Sequence, residues 1–397
     1  MWKTRSGGGR APDGAPDGRP YVDGMPDRDP FHVLIAGGGP AAIEAALRLH
    51  RIAGDAVRIT LLAPEREYVT RPMTVLEPFA AGHAERRPLR ELAGRADADV
   101  VEGRLAAIDA GAHTAVTEAG GTVTYDALLI TVGARAEAAD PHTIAFGLPA
   151  AVEQLHGAIQ DLEQGYLHEM AFVVPEGVHW SLPLYELALM TAQRAWESGQ
   201  HPRLTLVTPE SAPLELFGPD ASRLLADALA DAGIEVRTGV HGGAIASSQR
   251  VVTLPRLSGP ELPGVPLDED GFIRCDPHGR VYGLDDVWAA GDATSFPVKQ
   301  GGIACQQADA AAASIAAEAG AGNDPRPFEP VLRGVLITER SARFLRDGEA
   351  VTASAMWWPP TKIAGEELMQ VLEDVGGRRR PRPEGATVEV RLPVHAL

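Results

Sequence analysis

No stretch constrains this chain more than residues 32–65, HVLIAGGGPAAIEAALRLHRIAGDAVRITLLAPE. Val33 to Ala36 form a short apolar run, the pattern of a strand buried on both faces. A glycine run follows, after which Ala42, Ala45, Ala46 and Leu49 recur at i, i+3, i+4 and i+7, predicting a helix with one buried face. A second apolar run, Val57 to Ala63, ends near Glu65. Strand, glycine turn, helix and strand make the unit that holds a dinucleotide, and Gly37, Gly39 and Ala42 take its G-x-G-x-x-G/A positions. Gly37 permits the tight turn, Gly39 lets a pyrophosphate approach the backbone, and Ala42 keeps the helix close to the sheet. The helix N-terminus offers free N–H groups and partial positive charge to phosphates. Glu65, twenty-three residues after Ala42, lies near the spacing of a carboxylate that holds an adenosine ribose.

At 397 residues the chain suits two or three domains. A net charge of −18 argues against a nucleic-acid partner, because phosphate binding needs a basic surface. The two cysteines, Cys275 and Cys305, stand in neither a C-x-x-C nor a C-x4-C spacing, so they imply no disulfide framework and no metal site. The expectation is a cytoplasmic protein, or one resting on the inner face of the membrane. No run of eighteen apolar residues is present, and the N-terminus lacks the apolar core of a signal peptide. Lysine occurs three times, as Lys3, Lys299 and Lys362, which singles out Lys299.

Residues 1–29, rich in Gly, Pro, Asp and Arg, read as disordered, and Met25 is a candidate start. Residues 66–79 read as a loop, 88–95 as a short helix, and 100–109 with 113–135 as an antiparallel meander turning at Gly120-Gly121. Leu128 to Val132 is a buried strand ending in Thr131-Val132-Gly133-Ala134.

The succession of the glycine fingerprint, VEGRLAAID, TYDALLITVGA and VYGLDDVWAAGDA resembles the FAD-dependent pyridine nucleotide–disulfide oxidoreductase superfamily. The nearest branches are sulfide:quinone oxidoreductase-like and type II NADH dehydrogenase-like flavoproteins. The resemblance implies an α/β fold of two Rossmann-like domains with a small C-terminal α+β region. It divides the chain into an extension (1–30), the first part of an FAD-binding domain (31–149), an NAD(P)-binding-like domain (150–267), the second FAD part (268–325) and a C-terminal region with tail (326–397). It further implies that Gly37, Gly38, Gly39, Pro40 and Ala41 meet the FAD pyrophosphate and Glu65 the adenosine ribose. Leu105 lends backbone atoms near the adenine, Asp292 after Gly291 accepts from a ribityl hydroxyl, and Arg71, Thr131, Gly133 and Lys299 join the cofactor set. Asp292 as a helix N-cap is the alternative.

Residues 170–196 depart from the family. Between a strand (Ala171 to Val174) and a helix (Leu184 to Trp196) stands PEGVHWSLP in place of a glycine fingerprint. Pro175 and Pro183 lack N–H donors, and His179 and Trp180 are bulky where a pyrophosphate needs close approach. Ordinary NAD(P)H binding is therefore expected to be impaired. A sulfide oxidase of this superfamily uses a cysteine pair beside the flavin, and no cysteine occurs from 136 to 274 or after 305.

Three residues are candidates for catalysis. Cys305, opening an alanine-rich helix aimed at the flavin, is either a thiol of lowered pKa or a packing residue. Lys299 adds positive charge near the flavin ring edge or is a surface lysine. Glu186 matches a family glutamate that relays protons to quinone, or is an ordinary helix carboxylate. His179 is a weaker acid–base candidate.

Met356, Trp357 and Trp358 form either a quinone-site wall or a core aromatic pair, and an acidic helix at 363–375 does not suit a membrane anchor. Residues 376–383 read as a solvated tail. The expectation is an FAD-dependent oxidoreductase passing electrons from a small-molecule donor to a quinone or other acceptor without a redox disulfide. Membrane contact is at most peripheral, and a homodimer is the assembly carried. An NAD(P)H dehydrogenase with an atypical loop and a non-catalytic flavin-binding protein are the alternatives.

Overall fold

In the computed structural model the described residues are 29–241, 248–322, 324–337, 342–345, 351–352, 362, 365–375 and 390–391. The stretch before residue 29, the Met356–Trp358 cluster and the 376–383 tail lie outside them.

The opening run folds as β1 (Phe31–Ala36), α1 (Pro40–Ala53) and β2 (Val57–Ala63). Next come α2 (Leu89–Gly94), β3 (Asp99–Glu102) and β4 (Ala127–Ile130). A second series comprises β5 (Ile144–Ala145), α3 (Ala151–Glu163), β6 (Glu169–Val173), α4 (Leu182–Glu197), β7 (Arg203–Val207), α5 (Pro219–Asp231), β8 (Glu235–Arg237) and β9 (Arg250–Thr253). The chain closes with β10 (Val287–Ala289), α6 (Gly301–Glu318), β11 (Gly334–Ile337) and α7 (Glu366–Val375).

Two parallel five-stranded sheets result. The first has the order β10–β4–β1–β2–β3 and the second β5–β9–β6–β7–β8. An antiparallel ribbon pairs Arg135–Glu137, on the way out of the first sheet, with Arg256–Ser258, on the way back. The doubly covered strands account for the unbroken apolar runs: Val33, Leu34, Ile35 and Ala36 are all fully buried. In α1 the buried face is built largely of alanine, and it meets the alanine-rich α6 in one core with β1 and β2. Small side chains let the two helices approach closely, which brings both N-termini to the carboxyl edge of the first sheet. A separate core of larger side chains, among them Tyr185, Phe172 and Phe217, fills the second half.

Two elements differ from the sequence reading. Residues 66–79 are not a plain loop, since Glu67–Val69 pairs with Arg86–Pro88 and Arg71–Phe79 winds into 3₁₀ turns. Its two prolines, Pro72 and Pro78, hid that helix from periodicity. Residues 100–109 join the antiparallel meander only from Leu105 onward. They break at Gly103, whose N–H donates to Ala63 O at 3.0 Å, so β3 stays in the parallel sheet. The chain then turns into the antiparallel sheet 105–109, 114–117 and 122–124.

Candidate active site

The first sheet ends in a crevice built from backbone. Gly37 adopts φ +140°, and its N–H donates to Leu62 O at 2.9 Å. A Cβ there would stand 2.4 Å from Thr131 O, so no side chain fits. Thr131 fixes the turn by donating both its N–H and its hydroxyl to Ala36 O, at 2.8 and 2.9 Å. Gly39 caps α1 without a side-chain bond and opens onto free space, with nothing within 4 Å of a Cβ built on it. The first N–H groups of α1 thus face an opening. Above Gly38 stands the exposed carboxylate of Glu65, one oxygen 3.5 Å from where a Cβ would be, and no described residue bonds to it. Gly133, just past the turn, takes φ +76° with open space before it.

The opposite wall is the turn after β10. Gly291, at φ +78°, sits between Ala41 and Ala304, each 3.4 Å from a Cβ built there. Its N–H donates to Gln307 Oε1 at 2.8 Å. The neighbouring Asp292 is half-buried and accepts no hydrogen bond from any described residue. Burial pushes its carboxyl up, against the pull of Lys299 and Arg71. It is not the N-cap of α6, because Gln300 fills that role by accepting from Ile303 N at 2.8 Å. Leu105 lies past Gly103, paired with Thr117 and buried among Leu34 and Leu62.

Lys299 reaches from the same wall. Its Nζ donates to Thr294 O at 2.5 Å and lies 3.8 Å from the Phe272 ring centroid. Burial brings its ammonium down to about 8, opposed by Asp292, Asp268 and Cys275. His179 approaches from the loop after β6; its ring is exposed, yet partial desolvation and Lys299 hold it below the ordinary imidazole value. Lys299 thus stacks on Phe272 and acts electrostatically on both Asp292 and His179.

The other two catalytic candidates stand apart from that opening. Glu186 is fully buried, accepts both oxygens' worth of contact from Lys362 Nζ at 2.6 Å, and takes Ile337 N at 2.7 Å. Its place joins α4 to the C-terminal region. Cys305 is fully buried, its thiol 3.8 Å from Pro40 O. Of the two readings of Cys305, the packing residue is the one its surroundings favour, because burial, Glu44 and Asp309 push the thiol well up. Both cysteines are free.

The turn after β6, in the second half, is lined by large side chains and engaged polar groups. Trp180 packs on Phe217 with centroids 5.9 Å apart, anchoring the loop in the core. At the mouth of α4, Pro183 has no N–H and Leu184 N already donates to Ser181 O at 3.0 Å. Glu210, just after β7, accepts from Tyr185 Oη at 2.6 Å, Thr208 Oγ1 at 2.8 Å and Ser181 Oγ at 3.1 Å. Burial raises its carboxyl and those three donors pull it back. Sequence reasoning missed Glu210, although ITLLAPE (59–65) and LTLVTPE (204–210) set Glu65 and Glu210 at the same place after equivalent strands. It also missed Gln300, Gln307 and Glu44. A glutamate on the apolar face of α1 was the available signal for the last of these.

These features fit FAD. The open N-terminus of α1 suits its pyrophosphate, unbonded Glu65 a ribose, and unpartnered Asp292 a hydroxyl donor. Residues 31–173 match the family model described as pyridine nucleotide-disulphide oxidoreductase. An NADH dehydrogenase-like protein of Mycobacterium tuberculosis is 29% identical over 66% of this chain and 72% of its own length. The sulfide:quinone oxidoreductase of Aquifex aeolicus superposes with a TM-score of 0.73 at 18% identity, covering 87% of this chain and 90% of its own. A ferredoxin reductase from Rhodopseudomonas palustris gives 0.57 at 18% identity, over 83% and 89%.

Proposed function

We propose that this FAD-dependent oxidoreductase, a member of the pyridine nucleotide–disulphide oxidoreductase family through residues 31–173, draws electrons from a small donor at the 175–186 loop and not from a nucleotide held in the second crevice. The observation that carries this reading is the engagement of Glu210 by Tyr185, Thr208 and Ser181. Three of the roughly four acceptor sites of this carboxylate are taken by donors of the chain itself, both of those on Oε2, so a ribose diol cannot be accepted by both oxygens without giving up a hydrogen bond worth about 1.5–3 kcal/mol. The first turn of α4 offers a pyrophosphate few free N–H groups, and the family's close backbone approach is filled by side chains.

FAD, when bound, supplies the two-electron chemistry. The chain binds and orients it through the first crevice, and Lys299 places positive charge where Asp292 and the donor side meet. His179, held below its ordinary value by partial burial and by Lys299, is the acid–base candidate on the 175–186 loop. The sequence lacks a cysteine pair from 136 to 274 and after 305, and this reading therefore routes electrons without a redox disulfide. A quinone acceptor is favoured by the likeness to the Aquifex aeolicus enzyme. Among the described residues no helix is long and apolar enough to cross a membrane, so contact with one is peripheral in this reading.

The test is anaerobic stopped-flow of the flavin band. NADH and NADPH are expected to bleach it more slowly than roughly 0.1 per second, below the ordinary enzymatic range of about 1–1000 per second. Fast bleaching by either overturns the proposal. It would favour the second reading, an NAD(P)H dehydrogenase with an atypical loop, which the name of the mycobacterial relative supports.

A further inference from the structure

Glu44 is a fully buried carboxylate that the redox reading does not use. It lies on α1, one turn beyond Pro40, facing the C-terminal region. Its two oxygens accept the backbone N–H groups of Glu367 at 2.9 Å and Leu368 at 2.7 Å, so a side chain of α1 caps the N-terminus of α7. Gly365, entering α7, has no room for more: a Cβ would stand 2.6 Å from Glu44 Oε2 and 3.0 Å from Cys305 Sγ. That same thiol lies 3.8 Å from Pro40 O, at the first residue of α1. A short chain of contacts, Gly365 to Cys305 to Pro40, therefore joins the start of α7 to the turn that faces the cofactor opening. Leu368 and Leu372 sit in one core with Ala42, Ala45 and Ala46. Outside, Arg48 bonds Glu367 at 3.3 Å and approaches Glu366 at 3.7 Å, while Arg51 pairs with both glutamates. The pairs to exposed Glu366 hold weakly, whereas those to buried Glu367 reinforce the cap that Glu44 makes.

We propose that α7 is a clasp holding the first turn of α1 in its cofactor-binding position, with Glu44 the positioning residue through which α7 and FAD stabilise one another. This rests on the FAD reading of the first crevice. If α7 docks only on the arrangement of α1 that binds FAD, each must strengthen the other by the same factor. The C-terminal helix is then part of cofactor retention, although it touches the crevice only through other residues.

The experiment uses the full chain, stripped of FAD and titrated back. Affinity is read by flavin fluorescence, and amide exchange is followed in the 365–375 peptide. In the wild type FAD is expected to slow that exchange about tenfold, within the usual coupling range of roughly 5- to 150-fold. Glu44→Ala should weaken FAD binding by about the same factor and abolish the slowing, and Glu44→Gln, which keeps one accepting oxygen, should recover part of both. A merely structural cap would leave the effect of FAD on exchange intact. Wild-type exchange that ignores FAD, or wild-type affinity in Glu44→Ala, overturns the proposal. Should Glu44→Ala lose its far-UV signal, Gly365→Val disturbs the cap from the α7 side and carries the same two readouts. A wild-type chain that takes up no FAD sinks the FAD reading itself, and the clasp with it, at the first titration.

Discussion

The two crevices of this chain began from nearly the same text and hold opposite chemistry. ITLLAPE in the first half and LTLVTPE in the second each lead a parallel strand out to a glutamate. Glu65 meets a glycine turn, stands exposed and accepts nothing from the described residues, whereas Glu210 meets a loop of bulky residues and is bonded by three hydroxyls. One site keeps its polar groups available, and the other satisfies them internally. A Rossmann-like sheet thus supplies the position of a ribose carboxylate, while its neighbours decide whether that position is a binding group or a brace.

Substitutions separate a binding group from a brace. The largest effect is expected from Gly37→Val, which forces a side chain into a backbone carbonyl at a positive φ. It should destabilise the fold by roughly 3 kcal/mol or more and leave the purified protein without a flavin band, as followed by thermal melting and visible absorbance. Next, Glu210→Ala strands the hydroxyls of the buried residues Tyr185, Thr208 and Ser181. A loss of about 2–4 kcal/mol in urea unfolding is expected, with flavin affinity unchanged once folded. Glu65→Ala should do the reverse, shifting stability by less than about 0.5 kcal/mol while weakening FAD roughly tenfold. Equal behaviour of these two variants would erase the distinction.

A further effect is one of pH. Lys299 has its ammonium lowered to about 8 in the folded chain against an ordinary 10.5, so between those values the unfolded chain binds more protons and stability rises with pH. The difference in melting temperature between wild type and Lys299→Met should therefore grow in the wild type's favour from pH 8 to 10.5. A flat difference would mean that Lys299 is as solvated as a surface lysine.

What could be read in advance followed what each region needs from its sequence. The first crevice depends on backbone geometry, which glycine spacing reports directly, so Gly37, Gly39 and Glu65 were visible without coordinates. The departure at 175–183 was visible for the same reason, as prolines and large side chains where glycine belongs. The internal brace was not, because Ser181, Tyr185 and Glu210 meet only when α4 packs beside β7. Cys305 shows the limit most plainly. A thiol at a helix start suggests a lowered pKa by dipole alone, and only the packed neighbours Glu44 and Asp309 reveal that burial and negative charge win. Glu186 likewise read as either a proton relay or an ordinary helix carboxylate, and its burial against Lys362 was not legible in the sequence.

The edge position of β10 has a consequence for how the molecule is made. The first sheet opens with β1 but is completed by a strand roughly 250 residues later, and the wall bearing Gly291 and Asp292 arrives with it. At about 5–20 residues per second, the ribosome delivers that wall some 10–50 s after the glycine turn has emerged. During this interval β4 presents an unpaired edge, and the second sheet, encoded wholly in between, is free to form first. Cofactor loading is then a late event in biogenesis, and a nascent chain stalled before residue 287 is a species with half a crevice and an open strand that chaperones would have to shield.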